Sequence, residues 1–195
     1  MEIKLEHHFV NTCHDIKGLL KDVKKISTFI TRLERQSILH PNRYDPEVYK
    51  GDGLELFTEA LIKLSPIDNR IGIGDYQVEK GQDTGVDGFG IGIDGKPATV
   101  QVKFRSNNEQ QLTANADHLS NFAFASQNRY GVEISSTKNM LIVTTAAGLH
   151  YFTESEMLLN KVRVLGRETL RELVDNNVLF WNNFRKLVDE ALKKS

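Results

Sequence analysis

Two short segments of alternating apolar residues, joined by a turn, constrain the fold of this chain more than any other feature. In the segments 89–93 and 100–104, every second residue is Phe, Ile or Val. A period of two is typical of a β-strand with one buried face. The intervening Asp94-Gly95-Lys96 contains a glycine suited to a turn, so the pattern predicts a β-hairpin.

Helical and strand patterns surround this hairpin. Met140–Thr145 is a continuous apolar run, which is typical of a strand covered on both faces. The other predicted elements are a strand at 71–78, a helix at 115–128, a short helix near 154–159, a strand at 162–165, and helices near 168–175 and 180–193. This order predicts an α/β fold with a central mixed sheet of about four to five strands flanked by helices.

The amino-terminal part has a different pattern. Apolar residues recur every three or four positions from Asp15 to about Ser37, which predicts one long amphipathic helix. The stretch Leu39–Gly51 contains two prolines and predicts a linker, after which Asp52 and Glu55 form a capping-box pattern for a second helix. We therefore expect an amino-terminal helical extension and linker at 1–50 and an α/β domain at 51–195.

The composition of the chain limits which binding partners and which cellular compartment we expect. The chain has 195 residues, of which 39% are hydrophobic, and a formal net charge of −1. A packed core is therefore expected, and any nucleic acid must bind to a local basic patch. The polar face of the predicted first helix carries six basic residues against three acidic ones. A single cysteine indicates a reducing compartment, with the cytoplasm as the default, and no apolar stretch is long enough to predict a membrane span.

Three polar residues of the predicted hairpin form a candidate site. Gln101 and Lys103 alternate with apolar residues and therefore project to one face. If Asp94-Gly95-Lys96 is the loop, Asp87 lies approximately opposite Lys103. Carboxylate and amide oxygens suit Mg²⁺ or Mn²⁺, and a lysine beside them can orient a water molecule and balance negative charge. Glu55 is the available second carboxylate.

At these residues the sequence resembles a known family. Gly85-Val-Asp-Gly followed by Val100-Gln-Val-Lys resembles the signature of the restriction-endonuclease-like PD-(D/E)XK nucleases, and its glutamine form is similar to the Mrr-like branch. The resemblance spans about Gly51 to Thr145. It implies a metal-dependent DNA endonuclease in which Asp87 is the principal metal ligand. Gln101 would be the second ligand beside the Val102 carbonyl, Lys103 the catalytic lysine and Glu55 the acid of the preceding helix.

Further expectations follow from this resemblance. Lys96, Arg105 and His118 flank the proposed centre and are candidates for DNA phosphate contacts. Cutting both strands of a duplex usually requires two centres, which favours a homodimer. The tail from Val162 onward is similar to the end of nuclease modules at the front of some helicases, so a helicase is an expected fusion or binding partner.

Competing interpretations of the same residues remain open. Val86 stands where the family has proline, and Gln101 replaces a charged ligand, so a catalytically silent DNA-binding or assembly module is the alternative function. Asp87 and Lys103 could also form an ordinary cross-strand ion pair.

Other features yield weaker predictions. Asp75 and Asp83 compete with Asp87 for the acidic role. Gly88-Phe-Gly-Ile-Gly lacks the strand-to-helix context of a dinucleotide motif, which favours close packing against the glycines. A zinc site is disfavoured because the spacing of four amino-terminal residues is wrong for it, and we expect these to be exposed: His7, His8, Cys13 and His14.

Overall fold

The computed structural model describes residues 3–65, 68–81, 85–107, 109, 111–113, 116–133, 138–150 and 160–194. Its helices are α1 (Phe9–Thr12), α2 (Ile16–Leu20), α3 (Ile26–Ser37), α4 (Pro46–Leu64), α5 (Ala116–Tyr130), α6 (Arg167–Val174) and α7 (Val178–Leu192). Its strands are β1 (Ile73–Val78), β2 (Gly88–Gly92), β3 (Pro97–Lys103), β4 (Leu112–Thr113), β5 (Met140–Thr144), β6 (Leu149–His150) and β7 (Val162–Leu165). The helix predicted near 154–159 lies outside the described residues.

The chain forms two compact units. A helical unit combines residues 1–64 with 168–195, and a sheet unit contains residues 65–167. None of the helices within the described ranges is both long and apolar enough to cross a membrane.

The sheet unit contains a five-stranded mixed sheet, which confirms the predicted α/β fold. Its strand order is β1-β2-β3-β5-β7, with antiparallel pairing from β1 to β3 and parallel pairing from β3 to β7. Parallel β3 and β5 require a crossover, which α5 supplies. Phe122 of α5 belongs to the same buried cluster as Met140 and Ile142 of β5, so the helix covers one face of the sheet. A separate pair of short parallel strands joins β4 to β6.

Aromatic side chains dominate the core of the helical unit. Phe57 of α4 lies 5.4 Å from Phe29 of α3 and 6.0 Å from Trp181 of α7, measured between ring centroids. Trp181 and Phe184 of α7 are completely buried. The indole N–H of Trp181 donates to the Val174 carbonyl at 2.8 Å, so burial of this ring leaves no unsatisfied donor.

The prediction of one long helix from Asp15 to Ser37 is wrong, because residues 21–25 form a turn between α2 and α3. Asp22 in this turn has a φ of 54°, which a continuous helix excludes. The apolar residues on either side of the break are still buried, as Leu20, Val23 and Ile26 show. Spacing alone therefore predicted the buried residues correctly and the continuity of the helix incorrectly.

The predicted linker up to Gly51 is also too long, because α4 begins at Pro46. Proline is favoured at the first helical position, and the Asp45 carboxylate accepts hydrogen bonds from the amides of Glu47 and Val48 at 2.9 and 3.1 Å. The sequence therefore starts this helix six residues before Asp52, the predicted cap. As a result, α4 runs through position 51, where the sequence predicts a domain boundary.

Two glycines of α4 should respond in opposite ways to alanine. Nothing lies within 4 Å of a Cβ built at Gly51, so we expect Gly51→Ala to raise the free energy of unfolding by about 0.5–1 kcal/mol through lower backbone entropy. A Cβ at Gly53 would lie 2.4 Å from a methyl of fully buried Leu33. We expect Gly53→Ala to lower the free energy of unfolding by about 1–3 kcal/mol, because the α3–α4 contact is already close-packed. Urea denaturation of both variants measures this difference, and equal shifts would contradict the packing.

Candidate functional site

The register of the hairpin differs from the predicted one. Gly88 pairs with Val100, so Asp87 lies level with Gln101 rather than with Lys103. The loop is 93–95, closed by a hydrogen bond from the Gly92 amide to the Lys96 carbonyl at 2.8 Å. Gly95 has a φ of +76° and occupies the last loop position, as in three-residue hairpin loops that end in a left-handed residue. The prediction instead placed this glycine at the centre.

The Asp87 carboxylate nevertheless lies beside the Gln-x-Lys triplet. Its Oδ2 accepts a hydrogen bond from the Val102 amide at 2.6 Å, and Val102 separates Gln101 from Lys103. This contact fixes the carboxylate at the carboxyl end of β3. The structure therefore brings Asp87, Gln101 and Lys103 together at one end of the hairpin.

Gln101 is buried and has a defined partner. Its Nε2 donates to the Gly85 carbonyl at 2.8 Å, and the residue is 4% exposed. A glutamate at this position could not donate this hydrogen bond and would place a charge against a carbonyl oxygen. The neutral residue is thus explained by the Gly85 contact. With the amide nitrogen directed at Gly85, Oε1 is the end of the side chain suited to a hard cation.

Lys103 ends β3 and is half-buried. Its carbonyl accepts a hydrogen bond from the Thr144 hydroxyl at 2.7 Å, which anchors this strand end to β5. Among the ion pairs of the described residues, none joins Lys103 to Asp87. The ordinary cross-strand ion pair considered as an alternative for these two residues is therefore not observed in the described part of the chain.

The three predicted DNA contacts occupy different places. Lys96 lies in the turn at the opposite end of β3 from Lys103 and pairs with Glu133 at 2.6 Å. Arg105 follows β3, is exposed, and donates from Nη1 to the Phe104 carbonyl at 2.7 Å. The backbone of His118 lies in α5, and its side chain is outside the described residues. Of the two whose side chains are described, Arg105 is the one that lies near the end of β3 beside Asp87.

The two other acids considered for the role of Asp87 have separate outcomes. Asp75 lies in β1, is exposed and has a φ of 48° at an irregularity in the β1–β2 pairing. Asp83 lies outside the described residues. Asp87 is therefore the candidate whose carboxylate the structure places beside Gln101 and Lys103.

The glycines of β2 lie close to β1, not in a cofactor loop. A Cβ at Gly90 would lie 2.4 Å from the Gly74 carbonyl oxygen, and one at Gly88 would lie 2.1 Å from the Tyr76 hydroxyl. Both glycines therefore permit close contact between two strands. This explains the pattern that only superficially matched a dinucleotide motif.

Glu55 lies in α4 of the helical unit, where its described partner is a histidine. Its Oε2 is 3.0 Å from Nε2 of His7, whose side chain is 2% exposed. On the same helix face, Asp52 accepts hydrogen bonds from His8 and from the Tyr44 hydroxyl. The predicted role of Glu55 in a metal centre stays a prediction.

A third acid of α4 was not singled out by sequence reasoning. Glu59 is completely buried and accepts hydrogen bonds from the amides of Glu6 and His7 at 2.7 and 3.0 Å. Its Oε1 also accepts from Nζ of Lys63 at 2.8 Å. Acids at positions i, i+3 and i+7 of one helix share a face, and this spacing of Asp52, Glu55 and Glu59 was the available signal. We call these three residues the α4 acids.

The α4 acids explain why the prediction of exposed amino-terminal histidines is wrong for His7. Phe9 donates its amide hydrogen to Nδ1 of His7 at 3.2 Å, so the proton of the neutral ring lies on Nε2 and is donated to Glu55. A histidine that binds a metal through Nε2 needs its proton on Nδ1 instead. The ligand atoms of His7, Asp52 and Glu55 lie within 4.8 Å of one another. Their arrangement favours hydrogen bonding over metal binding.

Cys13 is part of a hydrogen-bonded cluster and is not activated. Its Sγ lies 3.1 Å from the Tyr49 hydroxyl, which donates to Oε1 of Gln36 at 2.8 Å. Burial raises the pKa of Cys13 above the ordinary value of a thiol. A higher pKa reduces the thiolate fraction near neutral pH, so this cysteine is a poor nucleophile.

Comparisons of the chain with protein-family models, with curated proteins and with solved structures found no match.

Proposed function

We propose that this protein is a metal-dependent endonuclease that hydrolyses phosphodiester bonds in DNA. The observation that carries this proposal is the 2.6 Å hydrogen bond between Oδ2 of Asp87 and the Val102 amide. It holds the Asp87 carboxylate against Val102, and the residues before and after Val102 in the chain are Gln101 and Lys103. Asp87, Gln101 and Lys103 together supply an acid, an amide oxygen and an ammonium, the groups expected from the resemblance to PD-(D/E)XK nucleases.

The order of elements gives further support. Helix α4 is followed by β1, the β2–β3 hairpin, α5 and β5, which is the order that the same resemblance implies for the family core. The crossover through α5 makes β5 parallel to β3, and the hydroxyl of Thr144 on β5 anchors the strand end that carries Lys103. Gln101 and Lys103 thus lie on a paired strand, and Asp87 comes immediately before another. Such placement favours precise positioning.

Each residue has a role in this proposal. Asp87 and Gln101 would hold Mg²⁺ or Mn²⁺, which polarises a phosphate and lowers the pKa of bound water. The hydrogen bonds to Val102 and Gly85 orient these two side chains before any substrate arrives. Lys103 would orient the attacking water and balance the negative charge that develops on the phosphate.

Nicking of supercoiled plasmid tests the proposal. With Mg²⁺ or Mn²⁺ present, we expect Lys103→Ala to lower the nicking rate by about 10²-fold or more, because a positioned lysine is lost from the reacting groups. Lys193→Ala is the control, since it removes an exposed lysine for which no contact with DNA is predicted. Equal nicking by wild type and Lys103→Ala would contradict the proposal, as would the absence of nicking by wild type with both metals.

A further inference from the structure

Hydrogen bonds from three other parts of the chain hold the backbone in and beside the turn at Lys21–Lys25, which joins α2 to α3. Nη1 of Arg32 donates to the Gly18 carbonyl at 3.2 Å and also to the Lys21 carbonyl. Nη1 of Arg185 donates to the carbonyls of Leu20 and Val23 at 3.0 and 3.3 Å. In addition, the Asn176 amide donates to the Lys24 carbonyl at 2.7 Å. The turn therefore has a defined shape before any partner binds.

The lysine side chains of this turn face solvent. Lys21, Lys24 and Lys25 are all exposed, and none of them takes part in an ion pair among the described residues. By contrast, Lys17 pairs with Asp189 at 3.3 Å. The six basic residues of the predicted helix face thus have different surroundings. Lys17 is paired, Arg32 is directed at backbone carbonyls, Arg35 is exposed on α3, and the three lysines of the turn face solvent.

The two arginines beneath the turn add to its positive charge. Arg32 and Arg185 direct their charged groups at backbone carbonyls, so no carboxylate neutralises them at these contacts. With the three lysines, five cations lie around the turn, against Asp22 within it, Asp175 beside it and Asp15 at the start of α2. In a chain with a formal net charge of −1, this is a concentrated positive region.

We propose that the Lys21–Lys25 turn binds the phosphate backbone of duplex DNA. Lysines are flexible point charges that bind phosphates well but identify no base sequence. At the amino terminus of α3, the Ile26 amide already donates to Oδ1 of Asp175 at 2.8 Å, and this carboxylate opposes an anion at that position. Binding therefore depends on the lysine side chains and is independent of sequence. The inference relies on the proposed function only for the choice of DNA, because binding does not require hydrolysis.

Duplex binding in EDTA, where no metal-dependent cleavage occurs, tests this inference. We expect Lys21→Glu/Lys25→Glu to weaken the affinity for a 20-base-pair duplex by about tenfold or more. We also expect the slope of log affinity against log salt concentration to become shallower by about 1.8, or about 0.9 for each lost contact. Lys138→Glu/Lys193→Glu is the matched control, because both of its lysines are exposed and it changes the net charge equally.

The outcomes separate this inference from the proposed nuclease activity. The inference is supported if the turn variant binds duplexes of different sequence more weakly while the control variant does not. The thermal unfolding midpoint of the turn variant should stay unchanged. Equal binding by wild type and the turn variant overturns the inference, as does equal weakening in the control or binding to anionic lipid vesicles in place of DNA. Loss of nicking in Lys103→Ala with unchanged duplex binding concerns the nuclease proposal alone.

Discussion

Asp87→Asn is expected to lower the rate of metal-dependent plasmid nicking by about 10²-fold or more while leaving the protein folded. Asparagine retains an oxygen that accepts the hydrogen bond now made by the Val102 amide to Asp87. It removes the negative charge, and a neutral amide binds a hard divalent ion more weakly than a carboxylate does. Nicking rates measured across a range of Mg²⁺ concentrations would report this loss.

Two further variants make this experiment specific. Asp75→Asn changes an exposed acid on β1 whose positive φ asparagine tolerates, so its nicking rate should equal that of wild type. Asp87→Ala also removes the acceptor of the Val102 amide, and we expect its free energy of unfolding to fall by about 1–3 kcal/mol. Wild-type nicking by Asp87→Asn would exclude Asp87 from catalysis, whatever the stability of the alanine variant.

Glu59→Ala should cause the largest loss of stability, about 3–5 kcal/mol in the free energy of unfolding. The variant leaves the amides of Glu6 and His7 without their acceptor. It also removes the carboxylate 2.8 Å from Nζ of Lys63, whose side chain is only 14% exposed. Removing one partner of a buried pair is costly because the other charge stays buried. Urea denaturation followed by far-UV circular dichroism measures the effect.

Glu168→Ala is a suitable control for this measurement. Glu168 pairs with Arg171, but both side chains are more than half exposed, so its loss should cost less than about 1 kcal/mol. If Glu59→Ala cost no more than Glu168→Ala, the amino-terminal segment would not depend on Glu59 for its attachment to α4. A variant too unstable to purify would agree with the prediction, and Glu59→Gln, which keeps an acceptor oxygen, should then be intermediate.

The sequence predicted the strands of the sheet unit well because their apolar patterns depend on local chemistry. Alternation identified β2 and β3, and the uninterrupted apolar run identified β5 as a strand covered on both faces. Register was predicted less well. A glycine with positive φ fits either the middle or the last position of a three-residue loop, and only the cross-strand pairing of Gly92 with Lys96 distinguishes the two.

Helix boundaries were missed where a distant residue determines them. Arg185 lies far along the chain and donates hydrogen bonds to carbonyls at the turn that separates α2 from α3. The spacing of apolar residues in the amino-terminal segment cannot predict such a contact. In contrast, the start of α4 could have been predicted locally, because Asp45 is a favourable helix cap and Pro46 is favourable at the first helical position. The prediction instead assigned both prolines of this stretch to a linker. The buried environment of His7 depends on Glu55 and Glu59, which lie some fifty residues away.

The order of the elements along the chain determines when each unit can complete its core during synthesis. The sheet unit is one continuous stretch, so every strand of its central sheet has been made once β7 leaves the ribosome. The helical unit must wait for α7, because Phe57 of α4 packs against Trp181 and Phe184. Until then the face of α4 that carries Phe57 lacks its partner, so the amino-terminal helices complete their aromatic core only after α7 has been made.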